Sequence, residues 1–443
     1  MYNNHKRNLR IEDVMNYDKK IDAIASYIKS GEKTVDNFKV GFEVEHFAID
    51  ADTMETLTYK EEGGVRDSLE EIEKMGYDAS YEGDNIMGLS ADNFSISIEP
   101  AAQFEVAYAA QKTMDELFDN YKKVMAELIP VFDNKNQLLA QVGYQPKTKI
   151  ENLPFIPKER YKYMSQYFKD FGGSSPYNMM KGSGSLQVAI DYKDEEDFKK
   201  KFFVANAVST FLYSTFDNSY IFEGEVYPKH NLRQTIWDNC DKKRSGIYDF
   251  AFDSDLSYEK YAAKILATDS IFIHKDGKDI YTANTPFDEI FDNEDMTLDM
   301  INHALSIVFP DVRVKTYIEV RMPDNVPYPY NFAAVALIKN MFYDEEILDF
   351  LYGLFEGMTY EGSQKLKDKA VMQGIDTIYK DKKISEWMLI ITEMIKEDRE
   401  YIKPLEELLK KDQTPRDLYE ALYKKDPKDA IYQYSVNKFV KEN

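Results

Sequence analysis

Val312-Arg-Val-Lys-Thr-Tyr-Ile-Glu-Val-Arg-Met322 is the stretch from which the fold can be read. Its even positions, Val312, Val314, Thr316, Ile318 and Val320, are β-branched; its odd positions are Arg313, Lys315, Tyr317, Glu319 and Arg321. Side chains alternate faces along a strand, so the run reads as a strand with one core face and one face of cations around a carboxylate. A single strand of this kind is ordinarily a solvated surface. Three other runs repeat the arrangement with carboxylates and amides, and together they point to one ionic site on a sheet.

The first is 39–50 (KVGFEVEHFAID), with Val40, Phe42 and Val44 on one side and Gly41, Glu43, Glu45 and Phe47 on the other. The second, 93–108 (NFSISIEPAAQFEVAY), reads as two strands broken at Pro100, because proline cannot donate to a ladder. Ile96 and Ile98 oppose Ser97 and Glu99; Phe104 and Val106 oppose Gln103 and Glu105. The third, 182–191 (GSGSLQVAID), sets Leu186, Val188 and Ile190 against Ser185, Gln187 and Asp191. If these strands are neighbours, Glu43, Glu45, Glu99, Glu105 and Glu319 converge. Crowded carboxylates repel one another and are driven toward protonation unless cations compensate them. Hard oxygen donors favour Mg²⁺ or Mn²⁺, and Mg²⁺ held by few carboxylates suits phosphate chemistry. Arg313, Lys315, Arg321, Arg233 and Arg244 are then candidates for holding phosphate or carboxylate oxygens. Periodicity places His46 on the core side, a packing role.

Elsewhere, helical spacing is expected over 11–29, 66–75 and 198–216, and the tail from about 345 to 443 turns helical and charge-rich. Thr113 and Glu116 form a capping box for a helix expected to stop at Pro130, and Thr414-Pro415 opens the last clear helix, with Asp417 at its third position. Strands mixed with helices, without regular βαβ alternation, predict an α+β fold with a mainly antiparallel sheet, residues 1–443 forming one catalytic domain.

Composition narrows the function. With 443 residues and 43% hydrophobic positions there is ample material for a core. A net charge of −23 disfavours nucleic acid and anionic membrane surfaces as partners. The polar start and the absence of a long apolar run predict a soluble, cytoplasmic protein. Cys240, the one cysteine, rules out an internal disulfide, and the five histidines show no metal-ligand spacing.

Several motifs, in consistent order, resemble the plant-type glutamate–cysteine ligases, a family also found in bacteria, of the glutamine-synthetase-like superfamily. They are Gly41-Phe-Glu-Val-Glu-His46, Ser97-Ile-Glu-Pro-Ala-Ala-Gln-Phe-Glu105, Gly143-Tyr-Gln-Pro-Lys147, Pro157-Lys-Glu-Arg-Tyr161, Ser185-Leu-Gln-Val-Ala-Ile-Asp191, Arg233-Gln-Thr-Ile-Trp237, Arg244-Ser-Gly246 and Val308 to Arg321. Two departures stand out: Ala101-Ala102 where the family has Gly-Gly, and Phe47 where lysine is usual.

The resemblance implies a funnel-like active-site face backed by helices, and ATP-dependent formation of γ-glutamylcysteine through γ-glutamyl phosphate, the first step of glutathione biosynthesis. It implies metal ligands at Glu43, Glu45, Glu99, Glu105 and Glu319, catalytic roles for Arg321, Arg233 and Arg244, and ATP contacts from Arg313, Lys315 and Gln187. Trp237 either lines the substrate pocket or packs in the core. The expected substrates are glutamate, cysteine and ATP, handled by a monomer or homodimer. A different amine acceptor, or a metal-dependent phosphohydrolase built on the same carboxylates, are the alternatives.

Overall fold

A computed structural model describes residues 11–275, 277–291 and 296–443, with residues 11–15 described by backbone alone. The polar stretch 1–10 lies outside the described residues. Among the described residues, nine strands form one antiparallel sheet. These are β1 (Val40–Asp50), β2 (Asp78–Glu82), β3 (Asn85–Ser90), β4 (Phe94–Ile98), β5 (Phe104–Gln111), β6 (Gln137–Ala140), β7 (Leu186–Ile190), β8 (Val312–Val314) and β9 (Ile318–Val320). Their spatial order is β8-β9-β7-β1-β5-β4-β3-β2, with β6 pairing the far half of β1. The expected α+β class and mainly antiparallel sheet are both present.

The run at 312–322 is not one strand. It folds back at Lys315-Thr-Tyr317 into a hairpin, pairing Val312 with Val320, Arg313 with Glu319 and Val314 with Ile318. Each pair joins residues of equal parity, so reversing the chain keeps the apolar set on one face and the ionic set on the other. Val312, Val314, Ile318 and Val320 are fully buried, together with Phe42, Val44, Phe104, Val106, Val188 and Ile190.

Six helices matter for the site: α1 (Ile11–Lys29), α2 (Met114–Asp133), α3 (Glu159–Phe171), α4 (Leu232–Asp238), α5 (Tyr330–Tyr343) and α6 (Tyr360–Gln373). The apolar face packs on α2 and α5, where the Phe42 ring meets Tyr108, Tyr121 and Phe332 at centroid distances of 5.3, 6.1 and 5.5 Å. Burying each such ring contributes roughly 1.5–3 kcal/mol. Helix α2 begins at the predicted Thr113–Glu116 capping box but continues through Pro130 to Asp133. Proline removes one helical hydrogen bond, and burial of Leu128, Ile129, Val131 and Phe132 holds the final turn despite that loss. Two short helices, Pro427–Gln433 and Val436–Glu442, follow the one opened by Thr414-Pro415. Among the described residues no helix is long and apolar enough to cross a membrane.

Past Glu45 the second face of β1 turns apolar. Phe47 and Ile49 enter a smaller core with Leu138, Ala140, Tyr419 and Tyr434, covered by the C-terminal helices. Phe47 is thus a packing residue that closes one end of the polar face.

Candidate active site

The polar face is a set of cross-strand neighbours. Ser97 on β4 lies opposite Glu105 on β5, which lies opposite Glu45 on β1. One row along, Glu43 faces Gln187 on β7. Beyond that, Gly41 faces Ala189, Ala189 faces Glu319, and Glu319 faces Arg313. Opposed pairs sit about 4.5–5.5 Å apart at Cβ, so the register alone assembles a line of ionic groups from Ser97 to Arg313. Small residues beside them, Ala107, Gly41 and Ala189, keep the floor low; a Cβ on Gly41 would stand 3.1 Å from that of Ala189.

At one end the carboxylates lack compensation. Burial pushes Glu43 up, and the negative charge of Glu319 adds to it. Glu45 is raised to about 7 by burial and then by Glu99, against the opposing effects of Arg233 and the Ser185 N–H. Glu105 is raised well above the usual range by burial and by Glu43, Glu99 and Glu45. Glu99 sits outside the strands, in the turn 99–103 that joins β4 to β5; Ala102 in that turn has φ +68. Two hydrogen bonds close the turn, Glu99 N–H to Gln103 O at 3.0 Å and Ala102 N–H to Glu99 O at 2.9 Å. Gln103 secures it further, accepting from Ala101 N–H at 3.0 Å and donating to Met180 O at 3.1 Å.

At the other end three cations surround one carboxylate. Glu319 Oε2 accepts from Arg313 Nε and from Arg321 Nη1, both at 2.7 Å, and Lys315 Nζ lies 3.8 Å from Oε1. Burial opposes ionisation of Glu319, but Arg313, Arg321 and Lys315 outweigh it and hold the carboxyl well below its ordinary range. Gln187 bridges the two ends. Its carbonyl accepts from Arg321 Nη1, and its amide donates to Glu45 Oε1 at 3.3 Å.

Glu319 was expected among the metal ligands. In the structure it pairs with three cations, because the hairpin brings Arg313 directly opposite it. Arg233 and Arg244 were expected to have catalytic roles; in the structure their donors go to the protein. Both are buried. Arg233 donates to the carbonyls of Arg321, Met322 and Pro323 and to Asp324, at 2.9–3.1 Å. Arg244 donates to Asp241, Tyr167 and the carbonyls of Ile307 and Asp269, at 2.7–3.0 Å. Both are clamps on the chain around the hairpin.

Other residues entered the site without having been assigned to it. Ser185 N–H donates to Glu45 Oε2 at 2.7 Å, and Ser97 Oγ–H donates to Glu105 Oε1. Both lie on the carboxylate side of the alternation, the signal that could have found them. Lys158 and Tyr161, at the start of α3, interact with Glu99 and Glu105; burial lowers the lysine's pKa and raises the tyrosine's. His46 faces the core as expected, 3.1 Å from Phe104 O, and burial lowers it to about 4.

Among the described residues, no three acidic, histidine or cysteine side chains already form a metal cage. The donor set nevertheless suits a hard cation: Glu43, Glu45, Glu99 and Glu105 offer only oxygens, and a divalent charge would offset the burial and repulsion that push three of them toward protonation.

The family model described as "Glutamate-cysteine ligase family 2" matches residues 39–416. The chain is 29% identical over 366 residues to chloroplastic glutamate–cysteine ligase A of Oryza sativa subsp. indica, spanning 81% of this chain and 74% of that protein. Its identity to the chloroplastic glutamate–cysteine ligase of Arabidopsis thaliana is 28% over 366 residues, 81% of this chain and 69% of the relative. The crystal structure of a glutamate–cysteine ligase from Francisella tularensis in complex with AMP superposes with a TM-score of 0.54. That match covers 93% of this chain and 90% of the other at 12% identity, a likeness of fold.

Proposed function

This chain belongs to glutamate–cysteine ligase family 2, and from that premise we propose that it joins glutamate to cysteine at the expense of ATP. The observation that carries the reading is the division of one polar face into an uncompensated carboxylate end and a cation end, linked by Gln187. In the reaction, the γ-carboxylate of glutamate attacks the γ-phosphorus of ATP and ADP leaves. The amine of cysteine then attacks the acyl phosphate, phosphate departs, and γ-glutamylcysteine forms. The protein's task is to position the reactants and stabilise charge, because phosphoryl transfer asks for little covalent help.

Glu43, Glu45, Glu99 and Glu105 would hold Mg²⁺ or Mn²⁺, which when bound neutralises phosphate charge. Arg321 takes the transferring phosphoryl group or the γ-carboxylate through its guanidinium, whose direction is fixed by Glu319 and Gln187. Arg313 adds positive charge along the same line. Lys315, at the hairpin turn and partly exposed, supplies an ammonium to the outer phosphates; burial and Arg313 lower its pKa. Arg233 contributes by holding the backbone from Arg321 to Pro323.

The test is ADP release with ATP, Mg²⁺ and glutamate, with and without cysteine and a panel of other amines. Stimulation by cysteine, with a γ-glutamyl product seen by mass, supports the reading. Stimulation by another amine moves only the acceptor, and ADP release indifferent to glutamate overturns the ligase.

A further inference from the structure

Beyond Glu319, Gln187 and Arg233, Arg321 meets its surroundings at two further points. Its backbone N–H donates to the carbonyl of Asp311 at 3.1 Å, at the base of the hairpin. Its guanidinium carbon lies 6.0 Å from the centre of the Trp237 ring, at the end of α4. One buried side chain joins the two supports. Lys367 on α6 is 1% exposed, and its ammonium donates to Asp311 Oδ2 at 3.1 Å and to Asp238 Oδ1 at 2.7 Å. Asp238 directly follows Trp237. The carboxylate of Asp311 is fixed further by Ser209 Oγ–H at 2.6 Å and Tyr213 Oη–H at 3.1 Å.

We propose that Lys367 is a positioning residue for Arg321: by tying Asp311 to Asp238 it sets the separation of the hairpin base from Trp237, and with it the place from which the guanidinium reaches Glu319, Gln187 and the substrate. The inference rests on the assignment of Arg321 to substrate. One acid would satisfy a lysine that only fastened α6 to its neighbours; here the two acids belong to the two elements that flank Arg321. An ammonium donates in three directions, so it can fix the angle between two carboxylates as well as their distance. A misplacement near 1 Å at a reacting group can lower a rate by about a hundredfold, so small shifts of this staple are felt in turnover.

Lys367→Met would strand two acids and risks unfolding, so the informative variant is Asp238→Asn. It leaves Lys367 paired with Asp311, and the Asp238 side chain is 27% exposed, so the change is tolerated. The chain has two tryptophans, so in a Trp387→Phe background Trp237 is the sole indole reporter. The expected result is a shifted Trp237 emission and a kcat at least tenfold lower. KM for glutamate and for ATP stays within about twofold, and the melting temperature is unchanged. Asp238→Glu should recover most of kcat. Unmoved emission, full kcat, or a kcat loss accompanied by a lower melting temperature each overturns the proposal. Failure of the ligase reading would show separately, as no γ-glutamyl product from the unsubstituted protein.

Discussion

The two ends of the polar face contain the same residue type in opposite electrostatic states. Glu45 and Glu319 are both glutamates on central strands, aimed at the same side of one sheet. Glu45 is raised to about 7 by burial and by the nearby Glu99; Glu319 has three cations and is held far below the ordinary range. The lesson is that burial alone does not decide the charge of a carboxylate: Glu99 adds to the effect of burial at Glu45, whereas the cations around Glu319 outweigh it. Glu105 stands opposite Glu45, whereas Arg313 stands opposite Glu319. The first end is ready for a cation from outside, and the second has its cations built in.

The sharpest break of this comparison is Glu45→Gln. Removing one charge from the uncompensated end should lower turnover by about a thousandfold, the scale of a preorganised electrostatic contact, while leaving the melting temperature equal or higher. A coupled ADP assay beside a thermal melt checks both, and a variant with near-normal turnover would mean that this end holds no cation needed for the reaction. Glu319→Gln should behave differently. It leaves Arg313 and Arg321, both largely shielded from solvent, without their anion, so stability should fall by about 3 kcal/mol together with activity. Urea unfolding of the two variants side by side separates the ends.

The pH dependence should also divide. Glu45 and Asp324, raised to about 7 and about 6, keep protons in the folded chain that the unfolded chain has released. Between about pH 4 and 7 these groups therefore make stability fall as pH rises. Glu319 acts in the opposite sense: its contribution is present above the unfolded value and is lost as pH falls through the acid range. Urea midpoints measured from pH 4 to 8 should decline toward neutral pH without divalent cations, and Mg²⁺ should flatten the decline. A decline untouched by Mg²⁺ would count against a cation at the Glu45 end.

The smallest effect concerns the turn that places Glu99. Ala102 occupies the left-handed region, which costs a non-glycine residue about 1–2 kcal/mol. Ala102→Gly should then raise stability by about 0.5–1 kcal/mol after the added chain entropy. An unchanged or lower urea midpoint would show that the surrounding hydrogen bonds, with Gln103 at their centre, already absorb that strain.

The sequence by itself determined which residues share a face. Alternation put Glu43, Glu45, Gln187, Glu105 and Glu319 on the polar side and Phe42, Val188 and Ile318 in the core, because a two-residue period is local and survives even the unforeseen hairpin at 315–317. It also carried the capping box at Thr113 and the helical tail, both set by neighbours a few positions apart. Only the tertiary structure decided who stands beside whom. The register that opposes Arg313 to Glu319 gave that carboxylate its ion pairs. The packing around Arg233 and Arg244 directed their donors to the protein, and the approach of α3 brought Lys158 and Tyr161 to the carboxylates. Those outcomes depend on contacts between distant segments, where charges interact through a few ångströms of protein, and no local period records that distance.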